Sequence, residues 1–453
     1  MQLTRFTATG IHGFLKFDLK FFKDLTFLTG INGSGKTSAI NAIVALISPD
    51  LALLANLEFK KLRLDLSNDD ENISITAEKL DQKFLLQVSS SDEPFSFILY
   101  SPDSELPLHR QAEAESEHYR EILASAADHP VVRTLTALPT PMFLGLDRRA
   151  RFDEEVSKRM RTPMRSRRSP KNVFGASLAR SLDEAADLAE TRYRDTLIES
   201  GKITERLQRE LLLSLLSVTT EDTAHLTLPS PDKLKEIADL KKNLDPLAKI
   251  LGLPQDEVIH RVDPFLDAMT GYAKALPKNK PVNEILGSRS NAEHLENLFR
   301  WSSNQKHLQR INVISDIVKK YNQYRSQLMS PVEKYLKLLG TFLNDSAKSV
   351  RFNERGYIFV EIDGVNGERP IFSLSSGEAQ IFVILTHLSF NPYAQRNVFI
   401  IDEPELSLHV QWQELFVDSL IEANPNIQYI MATHSPSIIL DKVDSCIDIS
   451  RKL

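Results

Sequence analysis

Cysteine is almost absent from this chain, since Cys446 is the single one in 453 residues. One thiol forms no intramolecular disulfide and builds no thiolate-rich zinc or iron–sulfur site, so both classes are excluded. No apolar run approaches the roughly 18 residues that a membrane span requires, and the first ten residues lack the basic-then-apolar pattern of a signal peptide. We therefore expect a cytoplasmic protein with no membrane partner.

An excess of positive charge is also missing. Lys and Arg number 55 against 61 Asp and Glu, a formal charge of −6, so contact with nucleic acid would need a local basic patch. One such patch exists, because residues 148–171 contain ten basic and three acidic residues. The segment admits two interpretations: a contact with nucleic acid or an acidic partner, or a solvated loop rich in Ser, Pro and Arg. The sequence does not decide between them.

Glycine is scarce, with 16 in the chain, so a cluster of three within six residues is informative. The run from Gly30 to Thr37, GINGSGKT, matches the phosphate-binding loop pattern; it follows a predicted strand, Leu25–Thr29, and opens a predicted helix. Backbone N–H groups would surround phosphate oxygens, Lys36 would reach the β- and γ-phosphates, and Thr37 would bind Mg²⁺. The predicted nucleotide contacts are Gly30, Asn32, Gly33, Ser34, Gly35, Lys36, Thr37 and Ser38.

Two carboxylates follow a second apolar run near the end of the chain. Val398 to Ile401 are apolar and precede Asp402 and Glu403, which predicts a buried strand that delivers both carboxylates to the carboxyl edge of a sheet. Ligands bind at that edge in α/β folds. Asp402 would hold Mg²⁺ through water, and Glu403 would polarise an attacking water molecule. An ordinary acidic turn is the alternative.

Two further segments complete a series of four. Residues 374–378, LSSGE, form a small-residue loop that opens a predicted helix, and residues 432–435, ATHS, place His434 at the end of a predicted strand. Taken alone, His434 is equally typical of a buried core histidine. Because Lys36 and Asp402 are 366 residues apart, the order of the segments excludes the AAA+ arrangement, in which the carboxylate strand follows the phosphate loop much sooner.

With these four segments the sequence resembles the ABC-type ATPase heads of the branch shared by SMC, Rad50 and RecF proteins. The resemblance implies ATP and Mg²⁺ as cofactors, and a homodimer or higher even-numbered assembly in which two heads enclose two nucleotides. Residues 405–409 would cross the dimer interface, and His434 would be the switch histidine. The implied catalytic residues are Glu403, His434 and Lys36, the implied metal-binding residues are Thr37 and Asp402, and the implied contacts to the partner's nucleotide are Ser375, Ser376, Gly377 and Glu378.

The pattern after the carboxylate pair narrows the resemblance. The segment Glu-x-x-Leu-His ends in His409, where ABC transporters have Asp, and looks like ATPases of bacterial anti-phage systems: the ATPase subunits of Septu, PARIS and retron operons, and overcoming-lysogenization-defect nucleases. Those nucleases carry a further nuclease domain, for which the 19 residues after His434 leave no room. We therefore expect a separately encoded effector, a nuclease. The glutamine loop of transporters has no clear counterpart among Gln82, Gln87 and Gln111.

The predicted fold is α/β: an ABC-type ATPase head with a mostly parallel sheet, split by a mainly α-helical insertion. Residues 1–150 would carry the phosphate loop, 151–340 the insertion, and 341–453 the remaining segments. Seven prolines between 229 and 281 indicate short helices there, and exclude a long coiled coil. A long helix over 291–329 would break or kink at Ser330-Pro331.

Three functions remain open at this point. The first is the ATPase and sensor or scaffold subunit of an anti-phage complex that controls a separate effector nuclease. The second is a RecF-like or SMC-like DNA-repair ATPase that clamps duplex DNA with the basic segment, and the third is a scaffold that binds nucleotide and hardly hydrolyses it. Strong, salt-sensitive binding of duplex DNA would favour the second. A nuclease gene beside this one would favour the first.

Overall fold

A computed structural model describes residues 1–68, 71–80, 83–100, 108–144, 150–151, 176–216, 228–277, 282, 292–392 and 397–451. The chain forms two compact units, one of Met1–Tyr193 with Val332–Leu453 and one of Arg194–Pro331. The basic segment 148–171 lies outside the described residues, apart from 150 and 151.

The described strands form three sheets. An antiparallel sheet contains β1 (Gln2–Ile11), β2 (Leu15–Lys20), β4 (Lys61–Asn68), β5 (Glu71–Leu80), β6 (Lys83–Val88) and β7 (Phe95–Ile98), in the order β2-β1-β4-β5-β6-β7. A mostly parallel sheet contains β3 (Leu25–Thr29), β8 (Met142–Leu144), β9 (Ala150–Arg151), β13 (Val398–Asp402), β14 (Gln428–Ala432) and β15 (Cys446–Asp448), in the order β15-β3-β14-β13-β8-β9. A small antiparallel sheet consists of β10 (Lys348–Phe352), β11 (Ile358–Ile362) and β12 (Val365–Arg369).

The α-helices complete both units. In chain order those described are α1 (Lys36–Ile47), α2 (Leu51–Asn56), α3 (Leu108–Ser125), α4 (Pro130–Ala137), α5 (Ala176–Leu216), α6 (Pro231–Lys242), α7 (Leu244–Leu251), α8 (Gln255–Ala275), α9 (Ala292–Leu343), α10 (Ser376–Phe390), α11 (Val410–Ala423) and α12 (Pro436–Ile439). The unit boundary falls inside α5 and inside α9. Over the described ranges, no helix combines the length and the apolarity needed to cross a membrane.

The parallel sheet is buried on both faces. Every residue of β13 and β14 is buried, which is typical of parallel strands covered by structure on each side. Alternate residues of β13 join different cores: Val398 and Ile400 pack with α1 and the antiparallel sheet, and Phe399 and Ile401 pack with α10 and α11. The prediction of an α/β fold with a mostly parallel sheet and a large helical region is confirmed.

One buried amide joins the antiparallel sheet to the parallel sheet. Gln428, which is 3% exposed, begins β14. Its Oε1 accepts a hydrogen bond of 2.7 Å from the Leu3 backbone N–H, and its Nε2 donates to the carbonyls of Leu3 and Phe22 at 2.8 Å each. The amide supplies both a donor and an acceptor, so these buried backbone groups of β1 and of the segment after β2 are paired.

The long helix α9 differs from its prediction. It does not end at Ser330-Pro331, because it continues through Pro331 to Leu343. A proline inside a helix costs about 3 kcal/mol, since it removes one hydrogen bond and crowds the preceding turn. The residues after it outweigh that cost, because each large apolar side chain buried contributes about 1.5–3 kcal/mol. Those nearly fully buried are Val332, Tyr335, Leu338, Leu339, Phe342 and Leu343.

The second unit has cores of its own. Trp301 and Leu298 of α9 are fully buried against Met269 and Leu266 of α8. Helix α8 spans 21 residues with Pro264 inside it, so the prediction of short helices is wrong there. A smaller cluster around Leu207, Val318 and Tyr321 joins α5 to α9, with Ile203 and Leu211 packed against it.

Candidate nucleotide-binding site

Three parallel strands end together at one edge of the sheet. β3, β14 and β13 are neighbours, with Leu28 opposite Ala432 and Ala432 opposite Asp402. The residues that follow them are the loop 30–35, the switch loop (residues 433–435) and Glu403. This register brings Lys36 within hydrogen-bonding distance of His434, although the two are 398 residues apart in sequence.

The loop 30–35 has the backbone of a phosphate-binding loop. Gly30, Gly33 and Gly35 have φ values of +152°, +82° and +89°, which residues with a side chain rarely adopt. Helix α1 begins at Lys36 with no side-chain cap and no acidic residue in its first turn. Its N-terminal N–H groups and its dipole are therefore uncompensated by the chain and favour an anion. The Oγ of Ser34 is buried and has no hydrogen-bond partner among the described residues, so it adds one more donor.

Lys36 is a buried cation among carboxylates. It is 5% exposed, and its Nζ donates to the carbonyl of Gly30 at 3.0 Å and to Nε2 of His434. Burial lowers the pKa of Lys36, and the nearby charges of Glu403, Asp402 and Glu405 oppose that shift. The ammonium group is thus held in place before any phosphate arrives.

Asp402 and Thr37 have the chemistry of a magnesium site. The carboxylate of Asp402 is 4% exposed and accepts a hydrogen bond from Thr37. Its Oδ1 has no hydrogen-bond partner in the part of the chain that the structure describes. Burial raises the pKa of Asp402 to about 6, with the neighbouring carboxylates Glu403 and Glu405 adding to the shift. A cation beside it would reverse that effect. Mg²⁺ prefers oxygen ligands, commonly one or two protein groups completed by phosphate and water, and these two residues fit it.

The candidate general base, Glu403, has an unusual backbone conformation. Its φ is +48°, in the left-handed region, and its N–H donates to the carbonyl of Ala432 at 2.8 Å. Non-glycine residues held in this region cost about 1–3 kcal/mol and occur often at functional sites. The bond to Ala432 ties the residue to the end of β14, so the strained turn also fixes Glu403 beside the switch loop.

Glu405 connects the carboxylate segment to the switch loop. Both of its carboxylate oxygens accept from Oγ1 of Thr433 at 2.9 Å, and one accepts from the backbone N–H of His434 at 2.7 Å. Glu405 belongs to the predicted interface loop, and no sequence motif predicts this bond. The pattern of carboxylates at 402, 403 and 405 was the available signal, but nothing local indicates which partner each one meets.

These groups surround one cleft of about 640 Å³. The hairpin between β1 and β2 also reaches it, through residues that the sequence analysis did not select. His12 has a φ of +50°, and its Nε2 lies 2.8 Å from Oγ of Ser38; Phe14 is 65% exposed. The cleft is lined by His12, Phe14, Leu15, Asn32, Gly33, Gly35, Lys36, Thr37, Ser38, Glu403, Glu405, Leu406 and His434.

The predicted signature residues do not line this cleft. Ser375 caps α10 and forms a capping box with Glu378, whose carboxylate is 3% exposed and bonds to Ser346 and Lys348 at 2.7 and 2.8 Å. Glu378 thus holds the start of α10 within its own unit, and these bonds lower the pKa of Glu378 against the effect of its burial. Ser376, the first residue of the helix, is exposed.

The chain is similar to one family model and to probable ATPases of bacterial retrons. A family model described as "AAA domain, putative AbiEii toxin, Type IV TA system" matches residues 232–441, a range that includes residues 374–378, Asp402, Glu403 and His434 but not the loop 30–35. The retron Vc95 probable ATPase of Vibrio cholerae serotype O1 biovar El Tor is 28% identical over 188 residues, which are 38% of this chain and 36% of that protein. The retron Ec83 probable ATPase of Escherichia coli is 25% identical over 171 residues, 35% of this chain and 30% of that protein.

The chain therefore spans about a third of the length of these curated relatives. Among solved structures, the Smc head domain of Pyrococcus furiosus, with an extended coiled coil and bound to a domain of ScpA, is similar at a TM-score of 0.38 and 14% identity, over 97% of this chain and 91% of that one. A likeness of this size adds no argument. The family model and the retron ATPases confirm the predicted resemblance to ABC-type ATPases of this kind.

Gly35 offers a test of the loop. A Cβ there would lie 2.8 Å from side-chain atoms of Leu15 and Phe17, whereas one on Gly33 would meet nothing within 4 Å. Both substitutions incur the left-handed strain of about 1–3 kcal/mol. We expect Gly35→Ala to lose a further ~1–3 kcal/mol through overpacking, relative to Gly33→Ala. Chemical denaturation of both variants without nucleotide measures the difference, and equal losses would contradict the close packing of Gly35.

Proposed function

We propose that this chain binds ATP with Mg²⁺ and hydrolyses it to ADP and phosphate. The observation that carries the proposal is a cleft in which Lys36, Glu403 and His434 meet at the ends of three adjacent strands. Asp402 bonds to Thr37 of the cleft lining. A glycine-rich turn formed by chance would not explain why a buried lysine, a carboxylate and a histidine converge on it.

Binding uses groups that are already placed. The loop N–H groups and the start of α1 surround the β-phosphate, and Nζ of Lys36 turns from His434 to the β- and γ-phosphate oxygens while keeping the carbonyl of Gly30. Thr37 and Asp402 hold Mg²⁺, which when bound neutralises phosphate charge. We assign nucleotide contact to Gly30, Asn32, Gly33, Ser34, Gly35, Lys36, Thr37 and Ser38.

Hydrolysis needs a base and a group that recognises the γ-phosphate. Glu403 accepts a hydrogen bond from water and takes its proton as the water oxygen attacks phosphorus, while the bond to the ADP oxygen breaks. His434 lies between Lys36 and the carboxylate segment, where its ring can donate to a γ-phosphate oxygen. Glu403, His434 and Lys36 are therefore the proposed catalytic residues.

A second subunit completes the site in this proposal. Ser376 is exposed at the start of α10 and absent from the cleft of its own subunit, so it is available to the nucleotide of another. Ser375, Ser376 and Gly377 approach the partner's γ-phosphate, and Glu378 holds their helix in position. The functional particle is a homodimer or a higher even-numbered assembly, with residues 405–409 at its interface.

The names of the relatives support a biological setting. Two of them are probable ATPases of retrons, and the family model names a toxin of a toxin–antitoxin system. We place this chain in the cytoplasm as the sensor or scaffold subunit of an anti-phage complex, in which ATP controls a separately encoded effector nuclease. Residues 151–340, the predicted insertion, serve assembly or partner binding in this proposal.

Glu403→Gln tests the general base. The variant keeps the shape of the side chain and loses the carboxylate, so we expect kcat to fall by about 10²–10⁴-fold while ATP stays bound. Phosphate release and ATP affinity are measured together, and Glu422→Gln, the same change at an exposed position of α11, is the matched control. Hydrolysis at the wild-type rate would remove Glu403 from its role.

Mixing two inactive variants tests the shared site. Lys36→Ala loses the charge that binds the phosphates, and Ser376→Glu opposes the partner's γ-phosphate with a like charge and a longer side chain. A mixed dimer keeps one site with an intact Lys36 and an intact partner Ser376. We expect mixing to restore part of the ATPase activity, measured against each variant alone at the same total concentration. A wild-type rate from a strictly monomeric preparation would exclude the two-subunit site.

The role in defence is tested in cells that carry this gene with its neighbouring open reading frames. Lys36→Ala should raise the efficiency of phage plating to that of cells without the locus, because the nuclease is no longer controlled by ATP. Lys83→Ala, a change at an exposed strand position, should leave protection intact. Protection that survives Lys36→Ala, or a locus without a nuclease, would contradict the assignment, and salt-sensitive duplex binding by the chain alone would favour the DNA-clamping alternative.

A further inference from the structure

A buried glutamine, Gln413, links the predicted interface loop (residues 405–409) to the switch loop. It lies in the first turns of α11 and is 9% exposed. Its Nε2 donates to the carbonyl of Leu408 at 2.9 Å, and its Oε1 accepts from Oγ of Ser435 at 2.6 Å. One amide therefore bonds to the last part of one loop and to the residue beside His434 in the other.

A second bridge joins the same two loops closer to the cleft. Glu405 accepts from Thr433 and from the N–H of His434, and Oγ1 of Thr433 accepts in turn from the N–H of Ser435 at 3.0 Å. His434 is thus flanked by Thr433, which bonds to Glu405 of the interface loop, and by Ser435, which bonds to Gln413 of α11. Its ring contacts Nζ of Lys36. Direct hydrogen bonds therefore connect Glu405 of the interface loop to His434, and His434 to Lys36.

The exposed end of this path is Leu406. Its side chain is 54% exposed at the tip of the interface loop, between Glu405 and Leu408, and lines the cleft. A surface that contacts Leu406 therefore acts on a loop with a bond on either side of it. Gln413 bonds to the carbonyl of Leu408, and Glu405 bonds to Thr433 and His434. Because both bridges consist of hydrogen bonds of 2.6–2.9 Å, displacing the interface loop must either break them or move the switch loop.

We propose that Gln413 is a positioning residue, which ties His434 to the interface loop so that a second subunit docking on that loop places the histidine for hydrolysis. This rests on the proposed function, since it assumes that two subunits enclose ATP. It goes further because it names the residue, Gln413, through which docking on the interface loop would affect the position of His434. Glutamine suits the position because one planar group donates to a carbonyl and accepts from a hydroxyl, which neither Glu nor Met does.

Gln413→Met tests the link, because methionine is similar in length and offers neither bond. We expect affinity for ATP to be retained and kcat to fall about 10- to 100-fold, the size of effect that a misplaced catalytic group produces. Gln411→Met, two residues earlier and exposed on the same helix, is the matched control. A wild-type kcat in Gln413→Met, or losses of kcat, ATP affinity and melting temperature in parallel, would overturn the proposal.

Ser435→Ala separates a specific link from a general loss of packing. It removes only the hydroxyl that donates to Gln413. If the two side chains act through their shared bond, the double variant has a kcat close to that of Gln413→Met alone, whereas independent roles multiply the two defects. Ser435→Thr keeps a hydroxyl and should recover most of the kcat lost by Ser435→Ala; multiplied defects or no recovery would count against the link.

Hydrogen exchange measures the link without hydrolysis. Ser376→Glu disfavours docking. In that background we expect ATP to slow the exchange of the switch loop (433–435) and of the interface loop (405–409) together. When Gln413→Met is added, we expect ATP to slow only the exchange of the switch loop. Identical responses in both proteins would overturn the link even where ATPase activity is normal. Joint slowing in a wild-type protein that hydrolyses no ATP would instead remove the proposed function and leave the link standing.

Discussion

The geometry of the candidate site depends on the order of three parallel strands. β3, β14 and β13 stand side by side, and each is followed by one component of the site: the phosphate loop, the switch loop and the carboxylate pair. The register places Leu28, Ala432 and Asp402 in one row, so the components start level with one another. A shift of β13 by one residue would turn Asp402 to the other face of the sheet, away from Thr37, without changing a residue of the loop.

Two charged side chains, Lys36 and Asp402, are buried at that edge of the sheet. Removing an ammonium group from water costs several kcal/mol unless it is paired and hydrogen-bonded. Lys36 meets this cost with two carbonyls, His434 and the field of three carboxylates, while Asp402 keeps an unpartnered oxygen and a pKa raised to about 6. A buried cation and a buried carboxylate thus lie at the same edge of the sheet. The proposed magnesium nucleotide would offer a counter-charge to each of them.

The parts of the site that the sequence predicts are those whose conformation depends on neighbouring residues in the chain. The glycines of residues 30–35 identify a loop because positive φ angles are needed there, and the run before Asp402 identifies a buried strand because four apolar residues precede two charges. The bonds of Glu405, Gln413 and His12 were not predictable, since each joins segments that only the tertiary fold brings together. The same limit explains Pro331: its local preference ends a helix, and the core contacts of Tyr335 and Phe342 override it.

The helical insertion and the signature residues share a core, although they are distant in sequence. The end of α9 places Tyr335 fully inside the nucleotide-binding unit, where its hydroxyl bonds to Thr386 of α10 at 2.7 Å and its ring packs edge-on to Phe390. α10 is the helix that begins at Ser376. Because protein interiors are close-packed, the end of α9 within this unit cannot shift along its axis without displacing α10. The contacts of Tyr335 with Thr386 and Phe390 therefore fix, within this unit, the position of the helix whose first residue, Ser376, is proposed to meet the partner's phosphate.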